Sequence, residues 1–113
     1  MTAVKRGDVW IADLGEPSGH EQAFRRPCLI LQTDDLSNLS TTVIVPVTTS
    51  PVGINAHRVA IPKGEGGLDR DSFALCHQIR ALDMRKLQVK LGELPAERIS
   101  EIESAVLFVL ALP

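Results

Sequence analysis

Thr41-Thr42-Val43-Ile44-Val45-Pro46-Val47-Thr48 decides the fold class, because seven of its eight residues are β-branched. Such side chains are stiff at χ1 and suit a pleated, half-buried surface better than a helix. Pro46 has no amide hydrogen, so the strand must meet an edge, a bulge or an end there. Upstream, the continuous apolar run in Pro27-Cys28-Leu29-Ile30-Leu31-Gln32 predicts a strand buried on both faces, which Pro27 can only start. Further upstream, Val9-Trp10-Ile11-Ala12-Asp13-Leu14 follows a Gly-Asp turn, with Val9 and Ile11 on one face and Trp10 on the other. Downstream, His57-Arg58-Val59-Ala60-Ile61 alternates after a loop over Thr49–Ala56, and is expected to be the antiparallel neighbour of Val43–Val47. Pro62 to Gly67 ends it. Residues 72–80 read as one strand or two short ones, Ala81–Leu87 as a helical turn, and Val89–Gly92 as a last strand.

From Pro95 to Leu112 the period changes. Ile99, Ile102, Val106, Val109 and Leu110 recur at helical spacing, while Glu97, Arg98, Glu101 and Glu103 face elsewhere. Pro95 suits the first helical position and Glu97 complements the positive end of the helix dipole, although Leu94 offers no capping acceptor. Five to seven short strands followed by one amphipathic helix predict a mainly β fold, a strongly bent sheet or half-open barrel whose open side the helix covers. No linker, repeat or low-complexity tract divides the chain, so residues 1–113 are expected to form one domain.

Composition narrows the function. With 44% hydrophobic residues in 113, the chain is too apolar for a disordered segment. Twelve basic against fourteen acidic side chains give a net charge of −2, which argues against coating nucleic acid non-specifically. A local excess survives, because residues 61–90 hold six basic and four acidic side chains. The N-terminus lacks the apolar stretch of a signal peptide, and no run of about 20 apolar residues could cross a bilayer. Two cysteines, Cys28 and Cys76, lie in apolar or mixed runs without C-x-x-C spacing. A cytoplasmic protein with reduced, buried thiols and no membrane contact is expected.

Neither a metal nor a nucleotide motif stands out. His20, His57 and His77 are widely spaced, and two cysteines cannot make a four-ligand zinc site. Gly64-Glu65-Gly66-Gly67 lacks the Lys-Ser/Thr of a phosphate-binding loop. The stretch His20 to Arg26 differs in kind: His20, Glu21, Gln22, Phe24, Arg25 and Arg26 put titratable, amide, aromatic and guanidinium groups just before a buried strand. Such a loop is either a solvated surface segment or a phosphate site on a rigid base. The hydroxyls of Thr48-Thr49-Ser50 can cap a turn or donate to a phosphate.

The chain resembles the MazF/PemK family of toxin–antitoxin ribonucleases. The residues that carry the resemblance are Lys5 to Leu14, Glu21-Gln22 followed by Arg26-Pro27, Val47-Thr48-Thr49-Ser50, Gly67-Leu68-Asp69-Arg70-Asp71-Ser72, Gln78-Ile79-Arg80 and Asp83. They run in order from about residue 5 to residue 110. The resemblance implies an SH3-like small barrel with a C-terminal helix, a homodimer, and metal-independent cleavage of single-stranded RNA at short sequence motifs, with no cofactor. The 2′-hydroxyl would act as nucleophile, leaving a 2′,3′-cyclic phosphate and a 5′-hydroxyl. The family's catalytic arginine and threonine fall on Arg26 and Thr49. Arg26 is then expected to stabilise charge developing at the scissile phosphate and Thr49 to bond a non-bridging oxygen, since arginine is a poor general base. Glu21 would orient Arg26, Gln22 would read a base edge or position the backbone, and His20, Phe24, Arg25, Ser50, Gln78 and Arg80 would support the site or bind RNA.

Three departures stand out. Ala23-Phe24-Arg25 replaces a stretch that contains glycine in many members, His20 replaces a small or polar residue, and His77 an acidic one. A His20–His77 acid–base pair is one consequence to test. The implied partner is a cognate antitoxin with a DNA-binding N-terminus and an acidic, apolar tail. Two copies of the chain would carry −4, so RNA affinity should concentrate where Arg25, Arg26 and Arg80 or Lys86 converge. The competing reading is a CcdB-like toxin that binds DNA gyrase without cleaving RNA, acting through the helix and dimer surface.

Overall fold

The structure, a computed structural model, describes residues 3–51 and 57–113. Among these, seven strands form one antiparallel sheet: β1 (Asp8–Asp13), β2 (Arg25–Ile30), β3 (Thr41–Thr48), β4 (Arg58–Ile61), β5 (Ser72–Leu75), β6 (Arg80–Asp83) and β7 (Leu87–Glu93). The order is β4-β5-β3-β2-β1-β7, with β6 also beside β3. One helix, α1 (Ala96–Val109), follows. Mainly β with a C-terminal helix is therefore the architecture, and the curved, unclosed sheet is the half-open barrel expected.

Side-chain alternation builds two cores from the same strands. Val9, Leu29, Val45, Val47 and Ile61 point to one face, where Ile102, Ala105 and Val106 of α1 cover them. Trp10, Ala12, Cys28, Ile30, Ile44 and Leu82 fill the other. That is why the central strands read as unbroken apolar runs. Cys28 and Cys76 lie in different cores, so no disulfide links them, and burial pushes their thiols up to about 12 and about 11.

Both prolines sit where the ladder does not need them. Leu14 N–H donates to Phe24 O, so alternation along the β1–β2 pair turns the nitrogen of Pro27, opposite Ile11, toward β3. There the β2–β3 register begins only at Cys28 opposite Pro46. Pro27 thus lies inside β2 instead of starting it. Pro46 marks the point where β3 changes neighbour, from β6 opposite Thr41–Ile44 to β5 opposite Val47–Thr48.

Other expectations need correction. β4 pairs with β5 and not with β3, because the turn through Gly67 to Asp71 folds β5 back as a local hairpin and inserts it between them. Ala81–Leu87 is not one helical turn: Ala81–Asp83 belong to β6, and only Met84–Lys86 make a single 3-10 turn, capped by Asp83. Pro95 is the N-cap, with φ −67° and ψ 154°, instead of the first helical residue. Its carbonyl accepts from Arg98 and Ile99, and Leu110 lies exposed beyond the helix end. The loop expected over Thr49–Ala56 falls, beyond Pro51, outside the described residues.

The Gly67–Ser72 segment is a packing device. A Cβ on Gly67, whose φ is +73°, would lie 2.0 Å from Leu91 O on β7. Only glycine permits that approach. Asp71 Oδ1 accepts from Lys63 N–H at 2.9 Å and Arg70 O from Ser72 Oγ at 2.9 Å, closing the turn. Across the same region Arg98 clasps Glu65 with bonds of 2.8 and 3.1 Å, tying α1 to the sheet. The N-terminal segment is held similarly: buried Asp8 accepts from Lys5 N–H at 2.9 Å and Trp10 Nε1 at 3.3 Å, while Lys90 Nζ lies 3.3 Å from its other oxygen. Among the described residues, no helix is long and apolar enough to cross a membrane.

Candidate active site

The loop between β1 and β2 is pinned at its base and at its middle. Leu14 N–H donates to Phe24 O at 2.8 Å and Phe24 N–H to Gly15 O at 2.7 Å, so the chain enters and leaves through a two-bond gate. Ala23 beside the gate is buried, and Phe24 adopts a left-handed φ of +61°. At mid-loop the side-chain amide of Gln78, from the 3-10 turn between β5 and β6, bonds both ways. Its Oε1 accepts from Gln22 N–H at 2.8 Å and its Nε2 donates to His20 O at 3.2 Å. Gln78 is thus a latch on the loop, satisfying backbone groups as another peptide would.

Arg26 follows two residues after Phe24. Its Nε donates to Ala23 O at 3.2 Å, which fixes the plane of the guanidinium, and both terminal nitrogens lack a protein partner among the described residues. This sets it apart from Arg6, Arg85 and Arg98, which are paired with carboxylates. A half-buried guanidinium held at one nitrogen presents its bidentate edge to an anion. The expected orienting contact from Glu21 is absent: Glu21 is exposed, its backbone N–H bonds to Ser18 O, and Ala23 does the positioning instead.

Thr49 lies at the same end of the β2–β3 pair. β2 runs antiparallel to β3 with Cys28 opposite Pro46, so the residues just before Cys28 and just after Pro46 share one rim of the sheet. Thr49 is exposed between two anchored neighbours. Thr48 Oγ1 accepts from Ser50 N–H at 3.2 Å, and Ser50 O accepts from Arg58 of β4 at 2.8 Å. Arg58 was not singled out from sequence, and its guanidinium also lies 5.8 Å from the Phe73 ring centroid. The only local sign of it was a cation at the start of an alternating strand.

The cations do not converge as expected. Arg25 and Arg26 are successive strand residues, which point to opposite faces, and Arg25 bonds Gln88 of β7 at 2.5 Å. Arg80 stands opposite Ile44, about 13 Å along β3 from Thr48 at strand rise, and Lys86 follows Asp83, opposite Thr41 at the far end. Arg26 is the guanidinium left facing the rim. His20 and His77 do border one open depression with Ser18, Glu21 and Gln78. The histidine that His77 touches is His57, with ring centroids 4.2 Å apart at 65°. Desolvation first, then the neighbouring His57 and Arg58, hold the His77 pKa below its ordinary value. Among the described residues, the buried Gln22 Oε1 has no hydrogen-bond partner. Among the described residues, no three His, Cys, Asp or Glu side chains cluster as metal ligands.

Known proteins of similar sequence and fold identify the family of the chain. An Endoribonuclease MazF of Staphylococcus epidermidis is 40% identical over 107 residues, covering 91% of this chain and 88% of the relative. An endoribonuclease in complex with its cognate antitoxin, from a mycobacterial species, superposes with a TM-score of 0.79 at 25% identity, covering 100% of this chain and 98% of that one. MazF of Deinococcus radiodurans has the same fold, with a TM-score of 0.86 at 24% identity over 99% of this chain and 100% of its own. A sequence model of one family matches residues 5–110, the span over which the separated motifs were read. By sequence and by fold, the chain belongs to the PemK-like, MazF-like toxins of type II toxin–antitoxin systems.

Proposed function

We propose that this chain is a sequence-specific, metal-independent endoribonuclease that cleaves single-stranded RNA at the rim between Arg26 and Thr49. The observation that carries the reading is the guanidinium of Arg26, positioned through Nε by Ala23 O and open at both terminal nitrogens beside the anchored Thr48–Ser50 segment. The 2′-oxygen attacks the adjacent phosphorus, a P–O2′ bond forms, the P–O5′ bond breaks, and the 5′-oxygen leaves as a hydroxyl. The proton lost by the nucleophile and the one gained by the leaving group exchange with water. Negative charge grows on the non-bridging oxygens in between, and donors already aimed there stabilise the transition state more than the ground state. Arg26 supplies the bidentate pair and Thr49 Oγ a third donor. The curated staphylococcal relative bears the name of the same activity, which supports the reading over a gyrase-binding toxin.

The partners follow from the family: a cognate antitoxin that covers the same rim, and a second copy of the chain in a homodimer, acting in the cytoplasm as a single domain over residues 1–113. The test is labelled single-stranded RNA with EDTA present. Discrete fragments bearing 5′-hydroxyl ends are expected from the wild type. Arg26→Ala and Thr49→Ala each lower kcat by about 10²–10³, the usual loss for one transition-state donor. Intact RNA with the wild type sinks the function, while full activity in Arg26→Ala sinks the site.

A further inference from the structure

Phe24 is the one large apolar side chain exposed between Gly15 and Arg26, and 55% of it is in solvent. It belongs to neither hydrophobic core. Ala23 before it is inside the fold, and Arg25 after it, though exposed, is tied to Gln88. The backbone beneath it has φ +61°, a region that costs a bulky L-residue free energy and costs glycine almost nothing. Both of its backbone groups are hydrogen-bonded, so the framework imposes the conformation. A strained, solvated aromatic on a fixed backbone points to function more than to stability.

We propose that Phe24 is a base-stacking residue, on which the nucleobase next to the scissile phosphate packs. The proposal rests on the ribonuclease reading and names what it lacks, a surface that grips the base while Arg26 grips the phosphate. One residue, Arg25, separates Phe24 from Arg26, so their Cα atoms are at most about 7 Å apart. A phenyl face accepts any base and an adjacent cation takes the phosphate, the combination that single-strand binders use. Because the ring's backbone is already pinned, stacking orders little that was mobile. A protein partner would want a contiguous apolar patch. Around Phe24 the other exposed residues are Glu16, Pro17, Ser18, Gly19, His20, Glu21 and Arg25, which add no large apolar side chain to the ring, so an isolated aromatic face suits one base better than a protein surface.

Stacking acts in the ground and transition states alike, so it should appear in KM and not in kcat. The experiment is steady-state cleavage of a labelled RNA that the wild type cuts, with Phe24→Gly and Phe24→Tyr, beside thermal unfolding of each. Phe24→Gly is expected to raise KM about tenfold to hundredfold, the range for losing one stacked base, with kcat within about threefold and no fall in thermal midpoint. Phe24→Tyr restores the low KM. The proposal is overturned if Phe24→Gly keeps KM within about twofold, or if it weakens binding of an acidic antitoxin peptide while KM for RNA stays put, which would assign the ring to a protein contact. Wild-type protein that leaves RNA intact overturns the ribonuclease reading itself, and stacking with it.

Discussion

Replacing Gln78 by alanine removes both bonds of the latch on the β1–β2 loop and touches nothing that Arg26 touches. One net hydrogen bond contributes about 1 kcal/mol, and water can reach part of the loop, so the latched state loses about 1–2 kcal/mol. Amide exchange reads that loss in full when it occurs through loop opening. Protection of the Gln22 N–H should fall about 5- to 30-fold, since 1.4 kcal/mol is a factor of ten. Catalysis reads only the fraction of molecules with the loop in place. A population that drops from almost all to between about a half and a quarter lowers the rate in proportion, so kcat/KM should fall about 2- to 4-fold, less steeply than protection. Gln78→Glu keeps the acceptor for Gln22 N–H but turns a carboxylate oxygen toward His20 O, so it should be the worse variant. Hydrogen exchange by NMR and cleavage kinetics on the same samples make the comparison. Unchanged Gln22 protection would refute the latch. A loss in kcat/KM as large as that of Arg26→Ala would place Gln78 on the substrate instead of on the loop.

Two further outcomes follow from the packing and the charges. The folded-state pKa of His77 lies below the ordinary 6.5, so below about pH 6.5 the unfolded chain binds the extra proton more readily and stability falls until the pH drops under the folded value. Thermal midpoints measured between pH 7 and pH 5 should therefore slope less in His77→Gln than in the wild type, and parallel slopes refute the assignment. Gly67→Ala would drive a Cβ to 2.0 Å from Leu91 O at φ +73°, whereas Gly15→Ala has φ +82° and nothing within 4 Å. Urea unfolding should show a loss of at least about 3 kcal/mol for the first and about 1–2 kcal/mol for the second, and equal losses would mean that the clash is relieved.

The parts of the fold that were legible are those whose cause is local. β-branched density predicted β3 to the residue, and the change of period predicted the start of α1 within one residue and its end within three. Pairing was less legible, because which strand lies beside which depends on the hairpin that the Gly67 turn closes and not on the strands themselves. The prolines misled for a related reason: a missing N–H forbids a central strand only if it points at a neighbour, and the strand's phase decides that. In the site, composition could bring the reading only as far as an arginine-bearing loop. Arg26 and Thr49 came from a resemblance of motifs, and the latch on the loop that leads to Arg26 links residues far apart in sequence. Gln78 is 56 residues from Gln22, and Arg58 donates to the Ser50 carbonyl eight residues away. Side-chain bonds to backbone leave no periodicity to detect.

The 56-residue separation of the latch also orders events during synthesis. At about 5–20 residues per second, roughly 3–11 s pass between addition of Gln22 and addition of Gln78. Over that interval the arginine loop exists without the amide that holds it, and β3 without its β6 neighbour. A nascent chain stopped at Leu75 would carry Arg26, Thr49 and the β5 residues that pair beside Thr48, yet lack the amide that latches the loop leading to Arg26. Translation thus builds a delay into the appearance of activity, during which a partner reaching the growing chain meets the loop in its unlatched form.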